Sequence, residues 1–243
     1  MKIRLLACLL CAVLLFVSFS AAGEAPEVPD GWEPVDIADL VIPELRELEP
    51  DDDRAPGFFA PAEDAPDTGD QVIIQKDGSF EIVSGMLRLS CPQPMGFIYY
   101  TQSYEAQQDL YSKYPDTLAI LVSYGVHVYF DNTADNVKAF LTMEDKLNLL
   151  PLMNDSATLE QAMETVAYYQ RAKYKMQVRQ ATFNGTPYLV VTAPDEGYSY
   201  YQTVIGSIPV TIEVYYYSGF TDTFEQFLEY WVLGNLSLSL VNS

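Results

Sequence analysis

The chain has 243 residues and a formal net charge of −21, with 34 Asp and Glu against 13 Lys and Arg. So large an acidic excess argues against nucleic acid and anionic membrane surfaces as partners and favours solubility. A single histidine among all residues also excludes histidine-rich metal sites.

The first 22 residues have the three-part pattern of a secretory signal peptide. Lys2 and Arg4 precede an apolar run over residues 5–19, and residues 20–22 are the small Ser-Ala-Ala that a signal peptidase accepts. We expect cleavage after Ala22, which predicts a secreted or extracytoplasmic protein that is not inserted in a membrane after cleavage.

Two alternatives compete at this end of the chain. Cys8 follows Leu-Leu-Ala as in a lipoprotein signal, although lipidation there would strand the apolar residues 9–19 after the cut. Residues 5–22 are also near the length of about 20 apolar residues that spans a bilayer, so the segment is a candidate uncleaved anchor. Removal of residues 1–22 leaves Cys91 as the sole cysteine, and hence no internal disulfide.

Residues 23–70 form an acidic, proline-rich segment with Arg46 and Arg54 as its only cationic residues. Such a composition cannot bury enough apolar surface to offset chain entropy, so it predicts a disordered linker. Part of it has near-helical apolar spacing, interrupted by Pro43: Ile37, Leu40, Val41, Leu45 and Leu48. This stripe predicts either an arm that docks on its own domain or a recognition motif for a partner.

Residues 71–243 are predicted to form a single α+β domain. In chain order, its first half reads as a hairpin around residues 76–78, a strand over 86–90, and a helix from Ser103 to Tyr111. A second helix over residues 116–124 follows, for which a strand is the alternative, and then two strands around a turn at residues 131–132.

The second half begins with the longest predicted helix, over residues 158–176, capped by Ser156 or Thr158. Strands follow on either side of an Asn184-Gly185 turn, which supplies the positive φ angles of a tight hairpin. A last helix from Asp222 ends at Gly234 and leads into a closing strand. Because the strands come as hairpins, the fold class is α+β, a mostly antiparallel sheet with helices packed on it.

The order of these elements resembles the PsbP/DcrB-like sandwich domains. The resemblance is carried by a long helix before FNGTPYLVV at residues 183–191, then IPVTIEVYYYSG at 208–219, a short helix and GNLSL at 234–238. Such domains occur in exported bacterial proteins and lipoproteins and in an extrinsic subunit of photosystem II. The resemblance implies a PsbP-like sandwich with a binding or assembly role at the bacterial cell envelope, and it carries over no site residues.

The motifs of the main enzyme classes are missing from the sequence. There is no G-x-S-x-G, P-loop or G-x-G-x-x-G pattern. His127 alternates with apolar residues in a predicted strand, which is typical of a structural histidine, and a nucleophile–base pair with Cys91 is the catalytic alternative. We therefore predict a non-catalytic domain with no cofactor, whose partner is an unknown protein, peptide or glycan. The competing functions are a hydrolase that uses dispersed carboxylates and a glycan- or peptide-binding module.

The binding module would use a tyrosine-rich face. If Ser207-Ile208 is a two-residue turn, one face of the resulting hairpin carries Tyr198, Tyr200, Tyr215 and Tyr217. That face is either covered by helices or exposed as a binding platform, and the sequence favours burial, because a three-layer sandwich covers both faces of its sheet.

Overall fold

The computed structural model describes residues 25–36, 69–92, 98–132, 137–154, 157–174, 177–193, 197–216 and 223–235. The predicted signal peptide, the Ile37–Leu48 stripe and the closing strand after residue 235 lie outside the described residues.

The described strands form two sheets in which every pairing is antiparallel. The smaller sheet has the order β1-β2-β3-β11, and the larger has the order β4-β5-β6-β10-β9-β8-β7. The strands are β1 (Gln71–Ile74), β2 (Phe80–Ser84), β3 (Leu87–Cys91), β4 (Ile98–Thr101), β5 (Val128–Asn132), β6 (Val137–Thr142), β7 (Gln177–Phe183), β8 (Thr186–Ala193), β9 (Tyr198–Ile205), β10 (Ile208–Tyr216) and β11 (Val232–Asn235).

Five helices occur in the described ranges: α1 (Tyr104–Lys113), α2 (Pro115–Ser123), α3 (Leu149–Asn154), α4 (Leu159–Tyr174) and α5 (Thr223–Leu228). The Ser103 hydroxyl caps α1 by accepting the N–H of Ala106 at 3.3 Å. Thr158 and Gln161 form a reciprocal capping box at the start of α4. None of these helices combines the length and apolar character needed to cross a bilayer.

The seven-stranded sheet is the middle of three layers. One of its faces packs against the four-stranded sheet and α5 through a large apolar cluster that includes Phe130, Val210 and Trp231. The other face is covered by α3 and α4 over strands β7–β9, and by α1 and α2 over strands β4–β6. The α+β class with mostly antiparallel pairing is therefore confirmed, and the division of the strands into two sheets is a feature that the sequence pattern did not reveal.

The Asn184-Gly185 turn was predicted correctly from its local chemistry. Asn184 and Gly185 have φ values of 46° and 78°, and Phe183 pairs with Thr186 across them as predicted. Only residues that tolerate the left-handed region fit both positions of such a turn.

Two element predictions are corrected, and one helix was missed. The last helix ends at Leu228, and Gly234 lies inside β11 instead of ending that helix. Asp131 and Asn132 belong to β5, so they are strand residues and not a turn. The short α3 was not predicted, because Pro151 within it reads as a helix breaker in sequence.

Candidate functional site

The predicted tyrosine face is on the central hairpin β9–β10. Tyr198 and Tyr200 are 3% and 1% exposed, and Tyr215 is half-buried. Tyr198 lies opposite Tyr215, with their ring centroids 6.3 Å apart. Tyr217 lies outside the described residues. The three described tyrosines therefore share one face of the sheet.

The register of this hairpin differs from the predicted one by two residues. The turn is Gly206-Ser207, with Gly206 at a φ of 67°, and Ile205 pairs with Ile208. Gly206 supplies the positive φ that a two-residue turn requires, whereas the predicted turn, Ser207-Ile208, contains no glycine. Because side chains alternate with a period of two, a shift of two residues leaves each side chain on its predicted face.

Helix α4 covers this face. Tyr198 and Tyr200 belong to one buried cluster with Ala162, Met163 and Val166 of that helix. Burial, with a further contribution from the nearby carboxylate of Glu213, raises the pKa of Tyr200 far above its ordinary value. The two tyrosines are core residues in this structure, which corrects the exposed-platform interpretation at these positions.

Polar residues of the same face hold the loop that precedes α3. Gln202 and Thr211 are fully buried. The side-chain oxygen of Gln202 accepts the N–H of Leu147 at 2.8 Å, and the Thr211 hydroxyl donates to the carbonyl oxygen of Glu144 at 2.8 Å. The sheet thus satisfies backbone groups of the loop that would otherwise be buried without partners.

Asp145 connects this loop to α3. Its carboxylate accepts the N–H groups of Leu149 and Leu150 at 2.8 and 2.7 Å, and it also accepts the side-chain amide of Gln202. Asn148 lies between these anchor points with a positive φ of 57°. The position of Asn148 is therefore fixed from both sides.

A buried ion pair supports the same loop. Lys146 Nζ lies 3.0 Å from Glu213 Oε1, and the two side chains are 8% and 1% exposed. The Tyr215 hydroxyl donates to Glu213 Oε2 at 3.4 Å. Both charges face a partner inside the protein, so this pair has a structural role and is not placed to transfer protons to a substrate.

Residues 25–36, called the arm below, lie along α4 in a conformation that is neither helix nor strand. The arm turns once, where Trp32 N–H donates to Pro29 O at 3.1 Å and Gly31 has a φ of 82°. These residues fall within the segment 23–70 that was predicted to be disordered. Their contacts correct that prediction for the arm.

Four backbone carbonyls of the arm accept hydrogen bonds from side chains of the domain. The bonds are Tyr169 Oη to Pro26 O (2.9 Å), Asn148 Nδ2 to Glu33 O (3.2 Å), Tyr174 Oη to Pro34 O (3.3 Å) and Gln170 Nε2 to Val35 O (2.9 Å). Three of the four donors come from the second half of α4, so that side of the helix holds the arm by its main chain.

Trp32 is the largest side chain with which the arm contacts the domain. Its indole N–H donates to Asn148 O at 2.9 Å, and its ring meets that of Tyr169 edge-on at 5.4 Å. Trp32 and Val28 both pack against the buried cluster beneath α3 and α4. The arm is thus held by an aromatic anchor as well as by its carbonyls.

A second feature is a cleft of about 190 Å³ bounded by α1, α2, β4 and β5. Apolar and aromatic side chains form most of its walls, among them Tyr100, Leu110, Leu118, Leu121, Val122 and Tyr129. The amide of Gln102 donates to Val126 O at 3.2 Å, and that of Gln107 donates to Gln102 O at 2.9 Å. The polar part of the lining is therefore held in place by the backbone.

His127 lines the same cleft, immediately before β5. Its Nδ1 lies 3.4 Å from the hydroxyl of Ser84, a residue that is 1% exposed. Burial lowers the pKa of His127, and the carboxylates of Asp70 and Glu144 oppose that shift. The ring is accordingly neutral at neutral pH. Its contact with Ser84 joins the two sheets.

Other candidate chemistry is buried or dispersed. Cys91 is 1% exposed in the core between the two sheets. Among the described residues, no group of three or more His, Cys, Asp or Glu side chains is placed to hold a metal ion.

Comparison of the chain with protein-family models, with curated proteins and with solved structures gives no match. The similarity to PsbP/DcrB-like domains consequently stays a prediction from element order.

The sequence interpretation missed the residues that bind the arm. Trp32 was an available signal, because a large aromatic side chain is out of place in a solvated acidic linker. Asn148 and Gln170 gave no such signal, since their roles depend on a loop and a helix face that only the fold brings together.

Proposed function

We propose that the protein is an exported, non-catalytic binding domain of the bacterial cell envelope, and that it takes a small apolar or aromatic group into the cleft beside α1 and α2. The cleft is the observation that carries this proposal. Ligand sites are concave and mostly apolar, with a few fixed polar groups, and this lining has that character. Export rests on the signal-peptide pattern of residues 1–22.

The size of the cleft limits the ligand. A volume of about 190 Å³ is comparable to an apolar cavity of about 150 Å³ that binds benzene. The proposed ligand is therefore one aromatic ring, or a branched apolar side chain at the tip of a partner protein or peptide. His127 and Thr101 lie in the same lining and give a polar group on that ligand a hydrogen-bonding partner.

Titration of the purified protein with indole, followed by amide chemical shifts, tests this proposal. We expect saturable shifts confined to residues of α1, α2, β4 and β5, with an affinity of about 1 mM for a probe of this size. Val122→Trp should abolish these shifts, because Val122 is 44% exposed and lines the cleft.

Val232→Trp is the matched control, since Val232 is 50% exposed on β11 and away from the cleft lining. Its binding should equal that of the wild type. Shifts that do not saturate, or that persist in Val122→Trp, would contradict the proposed site.

A further inference from the structure

We propose that the face of α4 covered by the arm is a peptide-binding groove, whose partner is an extended, acidic, proline-containing segment of another protein with a tryptophan in the position of Trp32. The arm is the built-in occupant of this groove, and its contacts define the chemistry of the ligand. This inference is independent of the cleft, which is bounded by α1 and α2.

The groove recognises features that a second peptide can supply. Tyr169, Gln170, Tyr174 and Asn148 donate to main-chain carbonyls, which every peptide carries. In complexes with extended peptides, main-chain hydrogen bonds supply affinity and pockets for individual side chains supply specificity. Grooves lined by aromatic side chains bind proline-rich segments. Proline restricts φ in the unbound peptide, so a proline-containing ligand loses less conformational entropy on binding.

The anchor explains the requirement for tryptophan. The indole of Trp32 combines an apolar ring packed on Tyr169 with an N–H bonded to Asn148 O. Phenylalanine would lose the hydrogen bond. Tryptophan is the side chain type that most often dominates the energy of such interfaces.

Charge accounts for the acidic character of the ligand. The arm carries Glu33 and Asp36 near Lys173, in the last turn of α4. The neighbouring Tyr174 hydroxyl donates to Pro34 O, the carbonyl between these two acidic residues, which sets them at this end of the helix. An acidic segment is thus favoured at this end of the groove.

The arm is an imperfect occupant. Gln170 is fully buried, and its Nε2 donates to Val35 O, but its Oε1 has no hydrogen-bond partner in the part of the chain that the structure describes. A buried acceptor without a partner weakens the bound state. A ligand that offers an N–H to this oxygen would satisfy both ends of the amide and displace the arm.

Displacement leaves the two sheets intact. The arm pairs with no strand of either sheet. Its release therefore exposes the groove without breaking a backbone ladder, and residues 37–68 keep it attached to the domain as a competitor.

The test uses a synthetic peptide of residues 24–36 and the full chain carrying Trp32→Ala. The variant's own arm lacks its anchor, and a fluorescent label on the peptide reports binding by anisotropy, because the signal then does not depend on Trp32 and Trp231 of the protein. We expect saturable binding to this variant and binding to the wild type that is weaker by about tenfold or more, since the tethered arm competes.

Gly31→Val is a second way to release the arm. A branched residue at a φ of 82° is strained, and no neighbouring atom lies within 4 Å of an added Cβ, so the domain itself is untouched. It should bind the peptide as the Trp32→Ala chain does, which separates release of the arm from any folding defect of that variant.

Matched changes in the groove complete the test. Added to Trp32→Ala, Tyr169→Phe should weaken peptide binding because the bond to Pro26 O is lost. Tyr168→Phe should not, since Tyr168 is 41% exposed and is not among the described residues that donate to the arm. A peptide with alanine for tryptophan should not bind.

Three results would overturn the proposal. The first is the absence of saturable peptide binding to both Trp32→Ala and Gly31→Val, which would show that the arm only ties the start of the chain to the domain. The second is equal binding by the Tyr169→Phe and Tyr168→Phe chains. The third is a wild-type dimer that dissociates on addition of peptide, which would assign the groove to the arm of a second copy.

Discussion

A buried charge that loses its partner destabilises this fold strongly. Lys146 and Glu213 are almost fully buried, and each loses its hydration on folding. Such a pair contributes little compared with well-packed apolar residues, but removal of one partner leaves an uncompensated charge in the core. The importance of each residue therefore depends on the presence of the other.

Glu213→Gln should lower the free energy of unfolding by about 3 kcal/mol, because Lys146 then remains buried with only the more distant and exposed carboxylate of Glu144, 3.5 Å away, as its counter-charge. The double variant Lys146→Met/Glu213→Gln should recover most of that loss. Urea unfolding of the single and double variants measures both effects.

The exposed pair of Arg88 and Glu81 is the control. Its atoms are 2.7 Å apart, but the side chains are 48% and 28% exposed, so Glu81→Gln should cost less than about 1 kcal/mol. A double variant at the buried pair that is no more stable than Glu213→Gln alone would contradict the account of that pair.

At the level of single residues, the sequence predicted which side chains share a face of the sheet better than it predicted which side chains are buried. Alternation in β9 and β10 correctly groups Tyr198, Tyr200 and Tyr215 on one face, even though the turn was misplaced. The alternation does not show which element packs on that face, because a half-buried tyrosine and an exposed tyrosine give the same pattern. The sequence also did not reveal the hydrogen bonds of Gln202 and Thr211, because both bonds go to a loop that is distant in sequence.

Helix α4 is the element that links the fold to the proposed groove. One side buries Ala162, Met163 and Val166 over the sheet, and the end of the helix presents Tyr169 and Tyr174 to the arm. Its start is stabilised by the capping box of Thr158 and Gln161. The same helix therefore supplies both core and groove.

Thr158→Ala should lower the free energy of unfolding by about 1 kcal/mol, because the N–H of Gln161 loses its cap. Thr165→Ala is the matched control in the same helix, where the hydroxyl bonds only the carbonyl of Gln161 and alanine has the better helix propensity. It should be neutral or slightly stabilising in urea unfolding. Equal losses for the two variants would rule out a role for the cap.

Elements with strong local signals were predicted, and those set by tertiary contacts were not. The caps of α1 and α4 and the Asn184-Gly185 turn are local, and they were found. Asp145 bonds the N–H groups of Leu149 and Leu150 at the start of α3, and its carboxylate is itself held by the side-chain amide of Gln202, which is distant in sequence.

On the scale of the whole molecule, two sheets and a helical layer enclose the hairpin β9–β10 from both sides. Hairpin order predicted antiparallel pairing, but not that β11 would return to β3 and form a separate sheet. That pairing joins the last described strand to a strand near the start of the domain, and no local pattern encodes so long a connection. The arm adds a second long-range contact, from the first described residues to α4.

The arm gives the predicted cleavage a structural consequence. If cleavage follows Ala22, the mature chain begins at Gly23, only two residues before the first residue of the arm. Cleavage there would put the arm almost at the start of the mature chain, whereas without cleavage the arm would follow the apolar segment directly in sequence.

We predict that protein purified from its native source has the mass of a chain beginning near Gly23. The reason is that Ser20 and Ala22 are the small residues that a signal peptidase requires, after the basic Lys2 and Arg4 and the apolar run over residues 5–19. Intact mass spectrometry measures this directly.

Ala22→Leu should block processing and keep the protein with the membrane fraction, whereas Arg46→Lys, a conservative change well after the cut, should be processed like the wild type. A diacylglycerol-modified Cys8, or a wild-type chain that retains Met1, would show that the protein stays attached to the membrane and would refute the predicted export.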